Sequence, residues 1–175
     1  RLVNGIWQAT GTLVAIKCIE RAKYVLMVER HAGGLNEDPI KEVAVMQLIA
    51  TRGGARHVLG LVGCFADDQT VYVALPFCPN GDLFAYVEER GGLPQPTAFA
   101  YFQQIIHGVE ALHAKGIAHH DMSLENIMLD ADWCAVIIDF GMAVKTTPAQ
   151  RSFLAPPRNA GNYFAVPLRA RRGWP

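Results

Sequence analysis

With 175 residues, 51% of them apolar, 18% charged and a formal net charge of zero, the chain has material for one domain with a real core, or for a small lobe plus part of a larger one. No uninterrupted apolar run approaches membrane-spanning length and the amino end is not signal-like, so no membrane partner is expected. Five arginines and no acid lie in residues 146 to 175, against 11 basic and 16 acidic residues before them; without an aromatic platform or recognition helix, that basic end implies no nucleic-acid partner.

The chain opens on Arg1 rather than Met, which reads as a start inside a longer product. Residues 1 to 20 alternate weakly and end in Leu13-Val14-Ala15-Ile16-Lys17-Cys18-Ile19, a strand by its β-branched content. Lys17 needs a reason there, because an ammonium in an apolar strand either snorkels to solvent or requires a partner. Tyr24 to Val28 suggests an extra strand, followed by a loop at Gly33-Gly34. Asp38-Pro39 predicts a helix start, with Asp as N-cap and Pro at the first position. The helix is expected to run to about Thr51, before Gly53-Gly54. Glu42 and Met46 share one face, and Ile40, Val43, Ala44 and Leu48 form a broad apolar stripe.

Val58 to Phe65 and Val71 to Leu75 read as two strands joined by an acidic, solvated turn at Asp67-Asp68. Pro76-Phe77-Cys78-Pro79 follows, and Asp82 opens a short helix, Leu83 to Arg90, ended by Gly91-Gly92. Residues 95 to 115 predict a longer helix that buries Phe99, Phe102, Ile105, Ile106, Val109 and Leu112, with Gly116 as its stop. His107 and His113 are six apart and do not share a helix face, so with His119 and His120 they read as core and turn histidines rather than zinc ligands. Cys18, Cys64, Cys78 and Cys134 are dispersed singly among apolar residues, the pattern of reduced, buried thiols in a cytoplasmic protein.

His119 to Gly141 carries the chemistry. Asn126 immediately precedes the apolar run Ile127-Met128-Leu129, and Asp139 immediately follows Ala135 to Ile138, with Asp130 to Trp133 as a turn. An antiparallel hairpin of these runs sets the Asn126 amide beside the Asp139 carboxylate, with Asp121 just upstream. Two carboxylates and an amide oxygen are hard ligands that suit magnesium carrying phosphates. Gly141 permits a sharp turn after Asp139.

The order His119-His120-Asp121, Asn126, then Asp139-Phe140-Gly141 resembles the protein kinase signature His-Arg-Asp, four residues, Asn, then Asp-Phe-Gly. The resemblance spans about residues 3 to 167 and implies an α+β, two-lobe protein kinase-like fold with a β-rich small lobe and an incomplete, mainly helical large lobe. It sets the small lobe at 1–75, the hinge at 76–78, and a truncated large lobe with activation segment at 79–175. The implied reaction is transfer of the γ-phosphate of ATP, with Mg2+, to hydroxyls of a protein substrate, serine or threonine being favoured. By resemblance Asp121 is the catalytic carboxylate, Lys17 in the VAIK-like strand holds the α and β phosphates, and Glu42 pairs with Lys17. Asn126 and Asp139 hold the metal. Val3, Ala15, Lys17, Leu75, Pro76, Cys78, Asp82 and Met128 bind the nucleotide. Among them the Pro76 carbonyl and Cys78 N–H meet the adenine, Leu75 is the gatekeeper, and Asp82 either reaches the ribose or caps its helix.

Several positions depart from the family. By the same resemblance the loop glycines are expected before Arg1, and Gly5 and Gly11 do not replace them. His120 replaces an arginine that fixes phosphorylated activation segments, and Ser123 replaces a lysine near the γ-phosphate, removing a positive charge. Gly161, Tyr163, Ala165 and Pro167 resemble the closing G-x-x-Y-x-A-P-E pattern with irregular spacing and Leu168 in place of the glutamate. Residues 169 to 175 match nothing in the fold. A non-catalytic, pseudokinase-like nucleotide-binding or scaffold module, or an inactive fragment, is the competing reading.

Overall fold

The computed structural model describes residues 2–3, 6–7, 13–30 and 38–146, with backbone alone for the first two pairs. Gly5, Gly11, the Gly33-Gly34 loop, the closing pattern at 161 to 168 and the basic end lie outside the described residues. The β-rich part begins with β1 (Leu2–Val3) paired to β2 (Ile6–Trp7). A three-stranded antiparallel sheet follows in the order β3 (Val14–Glu20), β5 (Thr70–Pro76), β4 (Gly63–Ala66). Pairing of Ala15 with Leu75 and of Lys17 with Val73 puts alternate residues on one face. There Ile19 and Val73 are buried with Val43, the centre of a small apolar cluster.

The segment expected to add a strand at Tyr24 to Val28 is instead helical, α1 (Arg21–Arg30). Arg, Ala, Lys, Leu, Met and Glu outnumber its two valines, and these are strong helix formers. The Arg21 amide bonds to the Gln69 carbonyl (2.8 Å), starting the helix at the end of the sheet. None of α1 is fully buried. Helix α2 (Pro39–Thr51) starts where the Asp-Pro pair predicts, with Asp38 accepting from the amides of Ile40 and Lys41. Its buried residues are Glu42, Val43, Met46 and Ile49, whereas Ile40 and Ala44 of the expected stripe are exposed.

The strand expected over Val58 to Phe65 is split. Only Gly63–Ala66 joins the sheet; Val58 and Leu59 are buried in the other lobe, where Val58 forms a parallel bridge to Ile137. Burial in a second core overrides continuity of the first strand.

The helical part contains α3 (Leu83–Glu88), α4 (Gln95–Ala114) and two strand pairings: β6 (Ile117–Ala118) with β9 (Val144–Lys145), and the hairpin of β7 (Ile127–Leu129) with β8 (Ala135–Ile137). Strand β9 falls in the part of the chain expected to hold the activation segment. The apolar core under the hairpin holds Phe140, Ile137, Leu129, Ile127, Leu112 and Met46, each nearly or fully inaccessible. Helix α4 faces it with Tyr101, Gly108 and Leu112, and Ile105 packs beside them. Phe99 and Phe102, expected on that face, are 58% and 57% exposed. The helix is apolar on two sides, and only the side bearing the small Gly108 fits against the hairpin. Of the thiols, all free, Cys18 and Cys64 are exposed on the sheet rather than buried; Cys78 is buried and Cys134 half-buried. Among the described residues no helix is long and apolar enough to cross a membrane.

A Cβ placed on Gly108 would meet the His57 carbonyl oxygen and Ile137 Cδ1, each at 2.7 Å, inside van der Waals contact. The Gly108→Ala variant is therefore expected to lose about 1–3 kcal/mol of stability through overpacking, despite the better helix propensity of alanine. Denaturant unfolding measures this, and an unchanged or stabilised variant would show that the helix and hairpin are not in such close contact.

Candidate functional site

The β3 strand and α2 bring together the first pair of expected site residues. Lys17 projects from the sheet face shared by Ala15, Leu75 and Val73, and its Nζ forms an ion pair with Glu42 Oε2. The lysine side chain is 44% exposed and the glutamate 8%, so the ammonium supplies the compensation that a buried carboxylate requires. The capping of Asp38 fixes where α2 begins, and so where Glu42 falls on its first turns. Asp38 is itself held twice more: its amide donates to the Gly141 carbonyl (3.2 Å), and Tyr24 donates its hydroxyl to Oδ1 (3.3 Å).

The second group is built on the β7–β8 hairpin. Ile127 lies opposite Ile137, and the Ile138 amide donates to the Asn126 carbonyl (3.0 Å), so Asn126 stands across from the residue immediately before Asp139. The hairpin turn is tied by Asp130, whose Oδ1 accepts from the amides of Asp132 and Cys134. Asn126 Nδ2 donates to both the main-chain oxygen and Oδ2 of Asp121, each at 2.8 Å. Asp139 adopts a left-handed backbone (φ 61°), and its Oδ1 accepts from the Gly141 amide at 3.1 Å. Phe140 then turns fully into the core.

His119 joins these parts. Its Nε2 meets the Ile138 carbonyl at 2.8 Å, its Nδ1 accepts from the Asp121 amide at 3.2 Å, and its ring stands edge-on to Phe140 with centroids 5.3 Å apart. A carbonyl needs a donor and an amide needs an acceptor, so the ring is neutral with its proton on Nε2. Burial lowers its pKa below the ordinary 6.5, outweighing the Ile138 bond and the charges of Asp121 and Asp139, which act the other way. His120, half-buried with φ 67°, is also lowered, by burial and then by Lys41.

The remaining expected positions sit around the strand that leaves the sheet. Leu75 is half-buried and touches both apolar clusters, while Pro76 is exposed at the end of β5. Cys78 is buried, which raises its thiol pKa, with Asp130 adding to the effect. Met128 is half-buried on β7 and bridges in antiparallel fashion to Asp82. Asp82 caps α3 by accepting from the Ala85 amide at 2.8 Å. Val3 belongs to β1, and its side chain lies outside the described residues.

His57 carries no sequence pattern that marks it, yet it underpins the hairpin. It is buried, has φ 60°, holds the Ala135 carbonyl through Nδ1 (2.9 Å) and accepts the Ile137 amide on its own carbonyl (2.9 Å). A lone histidine shortly after a helix stop is the signal available, and it is a weak one.

The family described as Protein kinase domain matches residues 2–165. The chain is similar to Serine/threonine protein kinase OSK3 of Oryza sativa, 30% identical over 166 residues that cover 90% of this chain and 31% of that protein. It is also similar to CBL-interacting protein kinase 30 of Oryza sativa, 35% identical over 77% of this chain and 26% of that protein, and to Serine/threonine-protein kinase grp of Drosophila melanogaster, 33% identical over 77% and 24%. The chain thus spans about a quarter to a third of the length of these relatives.

Because His119 has a lowered pKa when folded, the unfolded chain takes up its proton first as the pH falls through about 6.5. Stability is then full above that value and declines as pH drops toward the folded pKa. A His119→Asn variant, though less stable at pH 8, is expected to lose less further stability between pH 7.5 and 5.5, with His120 retaining part of the slope. Urea unfolding at several pH values measures this; parallel profiles for the two proteins would contradict it.

Proposed function

This chain belongs to the protein kinase family, and we propose that it transfers the γ-phosphoryl group of ATP to a serine or threonine hydroxyl of a protein substrate. The observation that carries the proposal is the coexistence of two formed constellations: the Lys17–Glu42 ion pair, and Asp121 bonded to Asn126 beside the Asp139 turn. Serine or threonine as the acceptor follows the activities for which the relatives are named.

In this reading the small lobe extends to residue 75, the hinge is 76–78 and the large lobe begins at 79. Lys17, aimed by Glu42, holds the α and β phosphates. Val3, Ala15, Leu75 and Met128 bound the base, and the Pro76 carbonyl and Cys78 amide bond to it. Asp82 acts through α3, since its carboxylate is engaged as a cap. The donor set fits a magnesium ion: Asn126 commits its Nδ2 to Asp121, which leaves the hard Oδ1 as its acceptor, and Asp139 adds a carboxylate. Magnesium, when bound by Asn126 and Asp139, would offset the negative charge of the phosphates.

Asp121 holds the acceptor hydroxyl in line with the γ-phosphorus and accepts its proton. A bond forms from the hydroxyl oxygen to phosphorus as the bridging bond to the β-phosphate breaks, and ADP leaves. The Asn126 amide holds Oδ2 of Asp121, so the carboxylate keeps one orientation at little entropic cost. Ser123, exposed beside this loop, offers a hydroxyl where charge would aid the transition state, so turnover below that of a lysine-bearing site is expected.

Radiolabelled phosphate transfer from ATP with magnesium to a generic basic protein tests this. Asp121→Asn and Asp139→Ala are each expected to lower transfer by about a hundredfold or more. Undiminished transfer in Asp121→Asn removes its assigned role. No transfer by the folded, unaltered chain, with ATP still raising its Tm, favours the non-catalytic nucleotide-binding reading.

A further inference from the structure

We propose that Arg52 and Lys115 form a clasp between the lobes that holds α2 where Glu42 meets Lys17, which makes both of them positioning residues for the reaction proposed above; the inference rests on that reading. Arg52 is the C-cap of α2 and Lys115 the C-cap of α4. Arg52 Nη1 donates to the Lys115 carbonyl at 2.7 Å, and Lys115 Nζ donates to the Arg52 carbonyl at 2.9 Å. Terminal helix carbonyls lack partners within their own helix and carry the negative end of the helix dipole. Each cation therefore satisfies the other helix's terminal carbonyl, and the two negative ends offset the repulsion between the like charges.

The links on either side of the two caps give the clasp its purpose. Beyond Arg52 the chain runs through Gly53 (φ 82°) and Gly54 (φ 68°), and a Cβ at either would touch nothing within 4 Å. Only from His57 to Leu59 does it become tied to β8. The amides of Gly53 and Gly54 close the end of α2 on the carbonyls of Ala50 and Ile49 (3.1 and 3.0 Å), and Met46 and Ile49 bury one side of the helix in the hairpin core, but the glycines themselves add no side-chain contact between the helix carrying Glu42 and that anchor. The clasp bypasses the glycines. On its other side, Lys115 leads through Gly116 into β6 and then to Asp121, and the Gly116 carbonyl is fixed by the Thr146 amide at 2.7 Å. The clasp connects the helix that aims Lys17 to the strand that delivers Asp121.

The test reads the ion pair directly and requires no turnover. Lys17 is accessible enough to be acylated by an N-hydroxysuccinimide ester, and an ammonium held on Glu42 reacts slowly. Its rate is followed by peptide mass spectrometry without nucleotide, with Lys23, paired to Glu20 on the surface, as the internal reference. Glu42→Gln sets the ceiling. Arg52→Met and Lys115→Met are each expected to raise Lys17 acylation about threefold or more relative to Lys23, and the double variant no further than the stronger single one, because the two bonds act as a unit. Arg52→Lys, which keeps a donor, restores the slow rate. An Lys17 rate unchanged in both Met variants while Glu42→Gln accelerates it overturns the clasp; a loss of Tm without a change in that rate does so too, since it assigns the pair a merely structural part. Should Arg52→Met fail to fold, Lys115→Met decides by the same criterion. Absence of phosphoryl transfer by the unaltered chain would count against the proposed activity, whereas the acylation rates judge the clasp alone.

Discussion

The backbone of Ile137 is the constraint on which the arrangement depends. Its amide donates to the His57 carbonyl and its carbonyl accepts from the Leu59 amide, while the opposite edge of β8 pairs with β7. One fully buried residue therefore joins the segment after α2 to the hairpin that carries Asn126 and leads to Asp139. Buried main-chain groups must find partners, so neither side can slide without leaving amides and carbonyls unpaired in the core. His57 adds its ring to the Ala135 carbonyl, and Gly108 lets α4 close over the junction. The small-lobe helix and the hairpin are two attachments to a single strand edge.

Features set by short-range chemistry were legible in the sequence. Asp38-Pro39 specified the start of α2 because both capping and the fixed φ of proline act within a few residues. The apolar runs around Asp130 to Trp133 specified a hairpin because its turn is satisfied by a side chain inside the turn itself. The Lys17–Glu42 contact was legible only through family resemblance, since nothing in the spacing of 25 residues implies contact. Features set by competition between cores were not legible. Val58 and Leu59 have strand composition, but which core receives them is decided by β8, far away in sequence. On α4 periodicity shows that the helix is apolar, not which of two apolar sides is covered, and the small residue that decides it looks like a weakness in the helix. Residues 21 to 30 mix both propensities, and the more numerous helix formers prevailed.

The electrostatics are divided by burial in a way that suits a site of this type. Glu42 is buried and Lys17 is half open, so the carboxylate depends on the ammonium more than the reverse. Lys17 thereby keeps part of its surface toward whatever enters, while its direction is set from behind. Asp121 is treated similarly: an uncharged amide holds one oxygen, fixing the carboxylate without neutralising it. The histidine beneath is kept neutral by its burial, so no buried cation competes for that negative charge.

The left-handed backbones at His57, His120 and Asp139 have a consequence for how this chain can vary. At these places the main chain, rather than the side-chain chemistry, screens candidate replacements: β-branched residues are penalised, whereas Asn and Gly fit. Two of the three flank the segments that deliver Asp121 and Phe140. The substitutions that backbone sterics admit at position 139 are then those that keep the bend while removing the charge, so drift at this turn leads toward a folded protein without the carboxylate assigned to magnesium in the proposed reaction rather than one that has lost its shape.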